Sequence, residues 1–176
     1  MTRRALLLCA LFATGLLPAA DPAGMEGNPE SAARFFLSEV RRFRVTGLPG
    51  GEAWETLAPC LSKPLRTLME AAKREQLEFM KMFPDEKPPW IEGDFFSSLF
   101  EGPHRFQVIG AEIKGDRASV RVEQERTEGG STVKWTDTLL LLKTPEGWRV
   151  DDMRYGGSWD FANTGTLREA LAPEEP

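Results

Sequence analysis

Residues 133–155 read V-K-W-T-D-T-L-L-L-L-K-T-P-E-G-W-R-V-D-D-M-R-Y. They divide into two strands joined by the Pro/Gly turn at Thr144–Gly147. The four leucines, Leu139 to Leu142, are too apolar for a strand with one wet face, so the pattern predicts cover on both faces. The second strand changes phase. Trp148 and Val150 share one face, and strict alternation would put Asp152 beside them. The next apolar residues are instead Met153 and Tyr155, of opposite parity. One extra residue at Asp151–Asp152 restores the pattern, which predicts a β-bulge there. A bulge bends its strand, so a curved sheet wrapped partly round a core is expected.

Two more strands precede this stretch. Arg105 to Lys114 is closed by Gly115-Asp116. Arg117 to Thr127 follows, with Ala118, Val120 and Val122 on one face. Glu128-Gly129-Gly130-Ser131 turns into the third strand. Every connection is short, so neighbours should pair antiparallel. After Tyr155, Gly156-Gly157-Ser158 breaks the strand. Thr166-x-x-Glu169 has the form of a capping box before a last short helix, Leu167 to Leu171.

The first half of the chain is helical in pattern. Asn28 is a good N-cap, and Pro29 fits the first helical position. Ala32, Phe35, Phe36, Val40 and Phe43 recur at helical spacing as far as about Arg44. Arg34, Ser38, Arg41 and Arg42 take the other face and read as solvated. Glu52 to Leu57 suits a helical turn. Ser62 is the next N-cap, before the stripe Leu65, Leu68, Met69, Ala72, Phe79, Met80 and Phe83, with Gln76 as its one polar break. That stripe predicts a core-facing helix with Phe79 and Met80 buried and Lys73, Glu78 and Lys81 exposed. Pro84 stops it, and Pro88-Pro89 keeps the chain extended. Trp90 to Gly102, W-I-E-G-D-F-F-S-S-L-F-E-G, carries much aromatic surface. It predicts a loop with a short helix near Asp94 to Phe100, over one end of the sheet. Helices first and a meander second make an α+β architecture, with N-terminal helices packed in a strongly curved antiparallel four-stranded sheet. The expected organisation is one domain over residues 29–171, with a flexible leader at 21–28 and a frayed tail at 172–176.

The first twenty residues stand outside the fold. Arg3-Arg4 follow Met1-Thr2 as a basic start, and Ala5 to Leu17 is an apolar run too short to span a bilayer. Pro18-Ala19-Ala20 supplies small residues before Asp21. The whole reads as a secretory signal peptide cut near Ala20, which places the mature protein in the periplasm or outside the cell. No transmembrane segment is expected in the mature chain. A lipoprotein signal fits less well, because Cys9 sits inside the apolar run and lacks small residues before it. The 176-residue chain carries a net charge of −5. Loss of Arg3 and Arg4 makes it two units more negative, a poor match to nucleic acid or anionic membrane. Cys60 is then the only cysteine left, so no internal disulfide can form, and it reads as a buried, inert thiol.

The order of elements, the segment G-D-F-F at Gly93–Phe96 and the segment W-R-V-D-D-M-R-Y-G-G at Trp148–Gly157 resemble an exported bacterial family, domain of unknown function 3828. That family is placed in the nuclear transport factor 2-like superfamily. The resemblance covers roughly Pro29 to Leu171. It implies a cone, with a strongly curved antiparallel sheet wrapped around a long helix. The superfamily holds ketosteroid isomerases and dehydratases, and also many non-catalytic binding modules, so fold does not give function. The family supplies no active residues to carry over.

The residues themselves assemble no catalytic set. His104, the one histidine, lies between Pro103 and Arg105 at a strand start. No metal spacing, P-loop, dinucleotide fingerprint or nucleophile elbow is present, so neither metal nor cofactor is implied. The carboxylates Asp94, Asp137, Asp151 and Asp152 fall on or beside the sheet. A cavity could desolvate one and make it a general base. Asp137 faces the same way as Trp135 and Leu139 and is the one expected to be half-buried. Asp151 and Asp152 are expected at a solvent-screened rim. The leading expectation is an exported, non-catalytic module that binds a small molecule or protein. Its possible cavity or binding residues are Phe79, Phe83, Trp90, Asp94, Trp135, Asp137, Asp152 and Tyr155. The alternatives are a small isomerase- or dehydratase-like enzyme with one cavity carboxylate, and an inhibitor or immunity protein using the outer sheet face. A monomer or a homodimer is expected.

Overall fold

The structure, a computed structural model, describes residues 23–172. The expected signal peptide and all but the first residue of the expected tail lie outside the described residues. Four strands form one antiparallel meander in the order β1 (Arg105–Lys114), β2 (Arg117–Glu128), β3 (Ser131–Thr144), β4 (Gly147–Arg154). The helices are α1 (Pro29–Arg42), α2 (Gly51–Leu57), α3 (Lys63–Met82) and α4 (Leu167–Leu171). The α+β class, with helices first and a four-stranded antiparallel meander after them, therefore stands as read from the sequence.

The bulge falls where the phase change put it. Leu140 pairs with Asp152 and Leu141 with Val150, leaving Asp151 as the extra residue on β4. Trp148, Val150, Met153 and Tyr155 are consequently all buried. The two aspartates are not at a solvent-screened rim, however. Asp151 accepts hydrogen bonds from Ser62 Oγ (2.6 Å) and Arg168 Nη2 (2.7 Å). Asp152 is buried and accepts from the backbone N–H of Met153 (2.7 Å) and of Arg168 (3.0 Å). The bulge thus ties α3 and α4 to the edge of the sheet.

The strong curvature expected of the bulge is not found, since the sheet is not strongly curled. The irregularities sit only on the outer strand pairs, between Val108 and Gly110 on β1 and at Asp151 on β4. The central pair, β2 with β3, runs in unbroken register from Arg117↔Leu142 to Glu128↔Ser131. The leucine run is also covered unequally. Leu139 and Leu141 are buried, whereas Leu140 and Leu142 are half-exposed.

The shorter α1 packs across β1, β2 and β4, whereas the long α3 meets the sheet at β4. Asn28 Oδ1 accepts from Ser31 N (2.8 Å), and Pro29 opens the helix. Ala32, Ala33, Phe36, Leu37 and Val40 form its buried face. Met25 is fully buried beside it, so the end of the presumed leader belongs to the core.

Helix α3 has two unlike halves. Its start is fixed by Ser62, whose Oγ accepts from Leu65 N (3.2 Å) while donating to Asp151. Leu65, Met69, Ala72 and Gln76 are buried, and burying a side chain such as Met69 contributes about 1.5–3 kcal/mol. Beyond Gln76 the expectation fails. Phe79 is only half-buried, Met80 is 45% exposed and Phe83 43%. Twenty residues make a helix about 30 Å long, which runs past the β4 edge and α4 that it packs against. The polar break, Gln76, is buried for a reason. Its Nε2 donates to Pro89 O (2.6 Å) and its Oε1 accepts from Lys73 Nζ (2.8 Å), which ties down the Pro-rich loop.

Candidate functional site

The segment from Gly93 to His104 builds the site, and it does so without the short helix expected there. Asp94 replaces the helix with local bonds. Its Oδ1 accepts from Phe96 N (2.7 Å), and its own N–H donates to Phe100 O (2.8 Å). Gly102, at φ +71°, passes so close that an added Cβ would lie 2.5 Å from Asp94 Oδ2. Only glycine fits there.

Beyond that loop lies Asp137, fully buried on β3. It accepts from Ser98 N (2.9 Å), Ser98 Oγ, Gln124 Nε2 (3.0 Å), Trp135 Nε1 (2.9 Å) and Gly156 N (2.8 Å). Five donors saturate one carboxylate. The knot joins the loop, β2, β3 and the turn after β4. Gly156 permits the approach, since a Cβ there would lie 2.0 Å from Thr136 O. Sequence reading expected Asp137 half-buried and missed its partners Ser98 and Gln124. An isolated serine and glutamine carry no periodic signal, and only the fold brings them to Asp137.

Asp94 is placed differently. The residue as a whole is half-buried, but its carboxyl turns inward against Gly102. Burial pushes it up to about 7. The Asp137 charge adds to the rise, while the Phe96 N–H and the Arg41 guanidinium oppose it. Asp94 borders a cleft of about 320 Å³ between the end of α1, the Gly93–His104 segment and β2. Arg41, Arg44, His104 and Arg126 line the same cleft. Arg41 donates to Pro103 O and His104 O. Arg126 donates to Glu101 O and Gly102 O, both at 3.1 Å, and pairs with Glu128. His104 Nδ1 accepts from Thr127 N (3.2 Å), which leaves its Nε2 as the free ring position. Arg41 therefore does not belong to a merely solvated face, and Arg44 and Arg126 were not singled out by pattern at all.

The other expected site residues do not converge on this cleft. Phe79 and Phe83 pack on each other, centroids 5.0 Å apart, at the exposed end of α3. Trp90 Nε1 donates to Ala170 O (3.0 Å), beside α4. Trp135 meets Trp159 at 5.6 Å, and Tyr155 donates from its hydroxyl to Phe95 O (2.9 Å). Burial raises the Tyr155 hydroxyl, with nearby carboxylates adding to it. Asp152 stays at the bulge. Cys60 is buried as expected, and its thiol is pushed up to about 12 by desolvation. Among the described residues, no cluster suited to a metal ion occurs, and no helix is long and apolar enough to cross a membrane.

This is an α+β protein with an arginine-lined cleft and a saturated carboxylate knot. No family model matches the chain, and no solved structure does. It is similar to the uncharacterized lipoprotein YbjP of Escherichia coli (strain K12), with 28% identity over 179 residues, spanning 94% of each chain.

Proposed function

We propose that the protein is an exported, non-catalytic ligand-binding module of the bacterial cell envelope, and that its ligand enters the Asp94 cleft. The observation that carries the binding reading is that cleft, where charged side chains converge on about 320 Å³ of open space. Export is supported by the end-to-end likeness to a protein named as a lipoprotein, together with the basic and apolar start of the chain. Mass spectrometry of the protein from its host's fractions tests this. The expected product begins near Asp21 and lies outside the cytoplasm. A product beginning at a lipidated Cys9 would keep the envelope reading and replace the cleavage reading. An intact Met1 in the cytoplasm would overturn both.

Membership of the domain of unknown function 3828 family, in the nuclear transport factor 2-like superfamily, is part of the same proposal. It is supported by the element order and by the meeting of the two segments that carry the resemblance. Tyr155 reaches Phe95, and Gly156 joins Ser98 on Asp137. An experimental structure whose sheet closes round a helix would support the superfamily cone. A flat sheet would count against it. A second reading, an isomerase- or dehydratase-like enzyme, is favoured by one observation: Asp94 titrates near neutrality beside open space.

A further inference from the structure

The ligand class follows from the cleft's charges, granted the binding reading above. We propose that the Asp94 cleft takes a small molecule bearing a carboxylate or phosphate group, with that oxyanion held by Arg44, Arg41 and Arg126. Three arginines line the cleft against two acidic residues, Asp94 and Glu101, in a protein whose net charge is negative. Arg41 and Arg126 are already fixed by loop carbonyls, so little further ordering is needed when they bind. A guanidinium has five N–H donors, and each keeps some of them free. Arg44 is exposed, and its side chain makes no hydrogen bond or ion pair among the described residues. Guanidinium forks match planar and tetrahedral oxyanions alike, which is why the shared chemistry is the claim.

A second, independent observation lies at the floor. Gln124 is 1% exposed. Its Nε2 donates to Asp137 Oδ2 (3.0 Å) and Phe96 O (3.3 Å), both acceptors, which fixes the amide's orientation. Its Oε1 then has no partner. That residue borders a void of about 10 Å³ which shares Val40, Arg41, Asp94 and Pro103 with the cleft. A void this small admits about one water-sized group. A buried acceptor without a donor is costly, so the floor calls for a ligand hydroxyl or a water held beneath the ligand.

Binding should tighten on acidification. The groups facing Asp94 are Arg41 from α1, Arg44 just beyond its end, Glu101 and His104 from the loop, Arg126 from β2, Asp137 from β3 and the Tyr155 hydroxyl after β4. As pH falls through about 7, Asp94 takes up a proton. The cleft then loses one negative charge and gains an O–H donor.

Nuclear magnetic resonance titration of the processed protein from its host tests this at constant ionic strength. The probes are butyrate, whose charge is fixed between pH 6 and 8, inorganic phosphate, and uncharged butyramide. The expected result is saturable shifts at Gly102 and His104 with at least one anion and none with butyramide. Arg44→Gln should weaken binding by about tenfold or more. This variant removes no hydrogen bond or ion pair seen among the described residues. Butyrate, if bound, should bind several-fold tighter at pH 6 than at pH 8. Asp94→Asn, which keeps the acceptor for Phe96 N–H, should bind at pH 8 as the native protein does at pH 6. His104→Asn should retain the pH response. Saturation by butyrate alone or phosphate alone selects the oxyanion. Butyramide binding as tightly as butyrate would overturn the anion class while sparing the binding reading. No saturable shift with any probe at pH 6, or an Arg44→Gln variant that binds normally, would overturn the proposal.

Discussion

Asp137 and Asp94 are close enough for the charge of one to act on the other, and both hold the same loop, yet their surroundings are opposite. Asp137 is enclosed by donors from four parts of the chain and has no capacity left for a ligand. Asp94 spends one oxygen on a local turn, turns the other inward against Gly102 and borders the cleft. A buried carboxylate alone does not mark a functional site. What distinguishes the two is whether the hydrogen-bonding capacity is used up.

The largest expected effect comes from breaking the saturated member. Asp137→Ala removes the acceptor of five hydrogen bonds and should cost about 3–5 kcal/mol in urea denaturation. A loss below about 1 kcal/mol would mean that water replaces the carboxylate easily and that the knot is open. The same contrast runs along α3. Met69→Ala should cost about 2–5 kcal/mol and Met80→Ala less than about 1 kcal/mol, because only the first side chain is enclosed. Equal losses would show that the far end of α3 is covered by something in solution. Ser62→Ala removes both a helix cap and the bond to Asp151, and should cost about 1–2 kcal/mol. A neutral result would break the link drawn between the bulge and α3.

The sequence carried the backbone better than the site. Strand ends, the Asn28 and Ser62 caps, the Thr166 capping box and the extra residue on β4 follow from local rules that act within a few residues. The Met and Phe stripe on α3 was legible as periodicity, but periodicity says nothing of how far the partner surface extends. Hence Phe79, Met80 and Phe83 were placed too deep. The weak curl of the sheet was missed because register in the β2–β3 pair is a property of two strands together. Asp94 and Asp137 were named as candidates, but their different roles depend on Ser98, Gln124, Gly156, Arg41, Arg44 and Arg126. Those residues converge only in three dimensions. The one hint available was Gly156-Gly157 after a strand, and what it permits is the close approach of Gly156 to Thr136.

The most direct measurement compares Asp94→Asn with Asp137→Asn for stability at pH 5 and pH 8. The folded Asp94 carboxyl lies near 7, above an unfolded value of about 3.9. Between those values the folded state holds a proton that the unfolded state lacks, so stability falls as pH rises through that window. Asparagine cannot ionise. Asp94→Asn should therefore stabilise more at pH 8 than at pH 5, while Asp137→Asn, which sets an amide among donors, should destabilise at both. Loss of stability from Asp94→Asn at pH 8, or no cost from Asp137→Asn at either pH, would contradict the division of labour between the two carboxylates.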